Sequence, residues 1–182
     1  LIMGDSYVNM TLENIDKGDP MAVYKQMNGI DMFLGITINN IRVSFFAFMM
    51  GLLVSFGTAW ILISNGIMLG AFQYFFHIHN LLFESVLVIW IHGTLEISAI
   101  IIAGAAGLVL GNSILFPGTY SRRQSFMIAS KEGLKMIVSL IPIFIIAGFL
   151  ESFVTRLTGM PVFLSLTIIL GSLTFVVWYF FI

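Results

Sequence analysis

The sequence predicts an all-α fold: a polytopic transmembrane helical bundle of about five spans with a short interfacial N-terminal helix. Three observations carry this. Of 182 residues, 59% are hydrophobic. Only 9% are charged, where soluble domains carry about a quarter. Apolar stretches of the ~20 residues that a helix needs to cross a bilayer recur along the chain. A water-soluble fold of this size could not hide so much apolar surface. The net charge of −1 argues against nucleic acid as a partner. With no cysteine, disulfides, thiol catalysis and thiolate metal sites are excluded.

The elements follow in order. Residues 1–40 hold most of the polar content and read as an extracytoplasmic or interfacial segment. The chain opens on Leu1 with no basic stretch ahead of an apolar one, so no signal peptide is read. The expectation is a fragment whose upstream region is missing, with Leu1-Ile2-Met3 as the stub of an earlier span. Asp19 can cap a helix and Pro20 suits its first position. Met21, Tyr24 and Met27 then fall at helical spacing, in a short helix lying on the membrane surface. Asn28-Gly29 breaks it, and Asp31 can cap the next helix. The transmembrane domain is read as residues 41–182. Span A covers residues 43–63, Ser64-Asn65-Gly66 turns, and span B covers 66–91. Span C covers 92–115 and ends at Phe116-Pro117-Gly118. A polar loop, TYSRRQSFMIASKEG, leads to span D at 134–153, with Pro142 as an expected kink. Thr158-Gly159-Met160-Pro161 turns into span E, 162–182.

Charge sets the orientation. The C–D loop carries Arg122, Arg123, Lys131 and Lys135 against Glu132, a net +3; residues 1–40 carry a net −3. Lys and Arg stay on the cytoplasmic side, so this loop and the C-terminus are expected inside and residues 1–40 outside. A re-entrant span B would instead move residues 1–40 inside.

The helix faces locate the chemistry. His92, Glu96, Ala99, Ala103, Gly107 and Gly111 share one face of span C. Small residues spaced by four let backbones approach closely in lipid. Span A carries a matching ladder, Ala47, Gly51, Ser55 and Ala59, with Asn40 near its head. The two ladders fit either a tight A–C contact or a homodimer axis. Span B shows a stripe of Gly66, Gly70, Gln73, His77, Asn80 and Glu84, which lipid cannot satisfy. Span D ends with Ala147 and Glu151 on one face. The expected interior polar cluster is therefore Gln73, His77, Asn80, Glu84, His92, Glu96 and Glu151, and the expected packing residues are Ala47, Gly51, Ser55, Ala99, Ala103, Gly107 and Gly111. Pairing candidates for Glu96 are His92, Arg156 and Arg42.

The His92/Glu96 pair, four residues apart in HGTLE, fits a metal or proton site and fits equally a pair that satisfies itself; the second reading is preferred. His77 is read as interior and His79 as peripheral. HExxH, a Walker loop and GxSxG are all missing from the chain. No catalytic residue, metal or cofactor is assigned, and the chain is read as no enzyme. RRQS and SKEGLK read as orientation signals that can also meet anionic lipid heads.

Several motifs together resemble one family. They are NN at 39–40, NG at 65–66, HGTLEISAIIIAGAAGLVLG at 92–111, FPGTYSR at 116–122, and AGFLES with TR at 147–156. As a set they resemble the stage II sporulation protein M family of bacterial and archaeal membrane proteins. The resemblance implies a scaffold role: the namesake sits in a membrane complex with two peptidoglycan-cutting enzymes. It implies no catalytic residue. Members usually carry sequence ahead of this region.

Two functions follow. The first is a scaffold in the cytoplasmic (inner) membrane that assembles partners, linked to cell-envelope or peptidoglycan remodelling. Its partners are the lipid bilayer, other membrane or envelope proteins and a further copy of the chain. The second is a small transporter or channel-like permease, with the span B stripe lining a polar path.

Overall fold

The computed structural model describes residues 4–20, 22, 28–157 and 159–181. The helices are α1 (Asp5–Asp16), α2 (Gly29–Met49, continued by a 3₁₀ turn at Met50–Leu52), α3 (Phe56–Ile78), α4 (Leu82–Leu115), α5 (Arg122–Phe149, continued by a π turn at Leu150–Val154) and α6 (Val162–Phe181). No strand occurs among the described residues. The fold is an all-α bundle, and five helices, α2 to α6, are long and apolar enough to cross a membrane.

The breaks between helices differ from those expected. Ser64-Asn65-Gly66 lies inside α3. Asn65 Nδ2 donates to the Ile61 carbonyl at 2.9 Å, so the side chain bonds within the helix it was expected to end. The chain turns instead at Leu53-Val54-Ser55, where Val54 (φ 54°) and Ser55 (φ 70°) are left-handed. That is a costly geometry for a β-branched residue. It is held by Ser55 N–H to Gly51 O at 3.1 Å and by Ser55 Oγ donating to Leu108 O at 3.1 Å.

The expected B–C boundary at residues 91–92 lies inside α4. The break is at Asn80, with φ 58°. Asn80 N–H bonds His77 O at 3.0 Å and Leu81 N–H bonds Phe76 O at 2.9 Å. This is the Schellman pattern with asparagine in the position usually held by glycine. Gly18 (φ 77°) ends α1 in the same way: Gly18 N–H bonds Ile15 O and Asp19 N–H bonds Asn14 O.

Most of the expected C–D loop is helix. Ser121 and Gln124 form a capping box: Gln124 N–H reaches Ser121 Oγ and Ser121 N–H reaches Gln124 Oε1, both at 3.3 Å. α5 therefore starts at Arg122 rather than at residue 134 and passes through Pro142 without a break. The expected boundary between residues 40 and 41 falls inside α2. Helix α1 was not among the expected elements, and the interfacial helix read from Met21, Tyr24 and Met27 lies outside the described residues.

The chain divides into two compact units. The first comprises Leu1–Ile36, Gly66–Leu95 and Ile146–Ile182; the second comprises Thr37–Asn65 and Glu96–Ile145. The core of the first is Met32, Phe75, Phe76 and Ile89, against which Val8, Leu12 and Ile15 of α1 pack. Their spacing of four and three gives α1 one apolar face. Gly29 packs on Phe153 and Arg156.

In the second unit α2 and α4 meet along their small residues. A Cβ on Gly51 would collide with the Gly107 carbonyl, and one on Gly111 would collide with Ser55. Ala47, Ala99 and Ala103 are buried. Thr58 Oγ1 donates to Ala47 O at 2.7 Å beside Gly107. Gly104 faces Leu62, and Gly133 of α5 faces the ring of Phe48. The two ladders thus meet within one chain.

Candidate functional site

In the first unit, α4 buries His92 and the π turn of α5 brings two partners to it. The turn is closed by Thr155 N–H bonding Leu150 O at 2.8 Å, one residue wider than α-helical pairing. Such widenings are frequent at functional sites. Thr155 Oγ1 donates to the same Leu150 carbonyl at 3.1 Å. The same hydroxyl lies 3.2 Å from His92 Nδ1, within hydrogen-bond distance. On the other side of the ring, His92 Nε2 faces Glu151 Oε1 at 3.8 Å, with side-chain exposures of 6% and 15%. The ring is thus held between Thr155 at Nδ1 and Glu151 at Nε2.

Glu96 follows one turn along α4 and is half-buried. In the second unit, the Asn40 side chain lies beside its carboxyl and interacts with it. The Asn40 amide nitrogen nonetheless meets no acceptor at full hydrogen-bond geometry among the described residues. Of the expected partners, Arg42 is exposed, and Arg156 places Nη2 3.5 Å from Met32 Sδ.

The remaining members of the expected cluster do not join this site. Gln73 is half-buried on α3, and neither amide atom has a partner among the described residues. His77 is exposed, not interior. Asn80 is exposed in the α3–α4 turn, and Glu84 is exposed in the first turn of α4. The stripe assumed one continuous helix over residues 66–91; the Asn80 turn breaks that period and sends Glu84 onto another helix. His79, read as peripheral, bonds the Phe75 carbonyl through Nδ1 at 2.7 Å.

Sequence reasoning named Thr155 only within the TR motif and gave it no part in the site. Its role depends on the π turn, which no spacing rule exposes. Asn40 was noted on the α2 ladder but not as a neighbour of Glu96.

The first unit also holds a cavity of about 650 Å³. Asp19 and Glu84 lie on its wall with Leu87, Ile91 and Ser165, and Thr155 also lines it. The residue that holds His92 thus also borders the cavity. Chemically, an imidazole nitrogen facing a carboxylate at this range can share a proton or hold a cation.

No curated protein and no solved structure shows significant similarity to the chain. The model of the family described as Stage II sporulation protein M matches residues 3–156, and the chain belongs to that family.

Proposed function

We propose that this chain is an integral scaffold of the cytoplasmic membrane that assembles partner proteins for cell-envelope or peptidoglycan remodelling, and that it catalyses no reaction. Family membership supports the reading. The observation that carries it is the seam of α2 on α4 in the second unit. There Gly51 and Gly111 approach facing residues so closely that not even a methyl group fits. Close backbone packing of this kind makes a rigid body in lipid and leaves no room along that seam for a substrate. His77, Asn80 and Glu84, which a permease would turn inward, are exposed. The exposed surface is rich in large apolar residues, including Phe56, Trp60, Phe163 and Trp178, and suits contact with lipid and with the helices of partners.

A second reading, a permease, draws on the cavity that reaches Thr155 beside His92. Full-length protein in liposomes separates the two. The scaffold reading expects proton and monovalent-cation flux equal to that of protein-free vesicles. Flux that is abolished by Glu151→Gln in a folded variant would replace it with the permease.

A further inference from the structure

We propose that the outward face of α5 between Arg123 and Val138 holds an anionic phospholipid, with its phosphate on Lys131 and Lys135 and its acyl chains on Leu134 and Val138. Helical spacing defines the face. Arg123, Met127, Lys131 and Lys135 follow one another at steps of four, so they form a single row about 18 Å long. All four are exposed. Leu134 and Val138 run beside the row and are 49% and 56% exposed. The opposite side of the helix is its packing side. There Ala129, Gly133, Ile137 and Leu140 are buried, and Gly133 meets the ring of Phe48. All of these residues belong to the second unit, and the basic row points away from that unit's own packing.

Three features select this occupant. The first is charge: Arg122, Arg123, Lys131 and Lys135 stand against Glu132 alone, a net +3. An anionic headgroup answers that charge and a zwitterionic one does not. The second is depth. Residues 136–150 hold no charged side chain, so Lys135 is the last charge before the apolar run and stands at the boundary of headgroups and hydrocarbon. Lysines placed there extend along apolar surface to reach headgroup level. The third is the apolar surface that Leu134 and Val138 set beside the two ammonium groups, as chains lie below a phosphate. An acidic soluble protein would match the bases but leave Leu134 and Val138 uncovered. Lys135 Nζ donates to Glu132 Oε1 at 2.7 Å. Both side chains of that pair are more than half exposed, and exposed pairs are weak, so a phosphate can displace the carboxylate. The lipid contact suits a scaffold and a permease alike and rests on neither.

The test uses full-length protein in detergent, titrated with phosphatidylglycerol or phosphatidylcholine, with the first bound lipid read by native mass spectrometry. A basic residue near an anionic surface gives about a 5-fold preference, so two should make the first phosphatidylglycerol bind ~5–25-fold tighter than the first phosphatidylcholine. The double variant Lys131→Gln/Lys135→Gln should bring the two lipids within about 2-fold of each other. Glu132→Gln should raise the preference, and Lys17→Gln, which removes a base from α1, should leave it unchanged. Salt near 1 M should erase it in the wild type, because charges are then screened within about 3 Å. Folded wild type with no preference overturns the proposal, as does a preference that survives the double variant or falls equally with Lys17→Gln. A photoreactive residue at position 131 that captures an acidic protein and no lipid in native membranes also overturns it. Should the double variant fail to fold, Glu132→Gln and the salt series on the wild type decide.

Discussion

Replacing Gly107 by alanine adds one methyl group in the middle of the α2–α4 seam. The new Cβ would lie 2.6 Å from Thr58 Oγ1 and 2.7 Å from Ala47 O. Those two atoms are themselves hydrogen-bonded at 2.7 Å, so the methyl lands on a formed bond. Overpacking a close-packed site costs ~1–3 kcal/mol, and the disturbed hydrogen bond adds ~0.5–1.5 kcal/mol. Alanine returns up to ~1 kcal/mol through its better helix propensity. The net expectation is a loss of roughly 0.5–3.5 kcal/mol. Gly107→Leu should be worse, with failed folding or assembly. Leu108→Ala, next along the helix but exposed, should stay within about 0.5 kcal/mol. Adding Thr58→Ala to Gly107→Ala removes the atom nearest the methyl, so the double variant should lose less than the two singles summed, with a coupling of ~0.5–3 kcal/mol. Steric-trapping or SDS unfolding of the reconstituted protein reads all five variants, Thr58→Ala alone included. Gly107→Ala as stable as wild type, with no coupling to Thr58, would refute the seam.

Three other expectations follow from single residues. Asn80 sits at φ 58°, so Asn80→Ala should destabilise by about 1–2 kcal/mol while Asn80→Gly is tolerated; equal stability of the two variants in the same unfolding assay would discard the Schellman cap. Ser121→Ala removes one half of the capping box and should cost ~0.5–2 kcal/mol, seen as faster amide exchange across residues 122–125; unchanged exchange there would mean that the box does not hold the start of α5. Because the chain has no cysteine, Ser125→Cys and Ser6→Cys can be labelled one at a time. The charge asymmetry expects an impermeant maleimide to reach position 6 and not 125 in intact cells, and the reverse pattern would invert the topology.

Much of the fold was legible because lipid imposes a simple rule: spans must be long, apolar and helical. That rule gave the fold class, the five spanning helices and the ladders of Ala47, Gly51, Gly107 and Gly111. The turns were less legible. Asn65-Gly66 carries turn composition, yet Asn65 bonds back to Ile61 and the helix continues. Val54 and Ser55 carry no turn signal at all; tertiary bonds to Gly51 and Leu108 hold them there. Asn80 was read by its period as part of a stripe when its left-handed backbone made it a cap. Ser121 and Gln124 did carry a readable signal, S-x-x-Q, which was masked by the charges around it. At the candidate site, the placement of His92 and Glu151 on interior faces was readable from small neighbours such as Ala99 and Ala147. Their approach to each other, and the part of Thr155, depend on a π turn that forms only through packing.

The scaffold reading is tested most directly by photo-crosslinking in native membranes. A photoreactive amino acid is placed singly at exposed Phe56, Phe163 and Trp178, and at buried Phe144 as the control. The account predicts high-yield adducts with defined membrane or envelope proteins from at least one exposed position, and none from Phe144. Lipid adducts alone at all three exposed positions, from protein that is folded and correctly inserted, would contradict it.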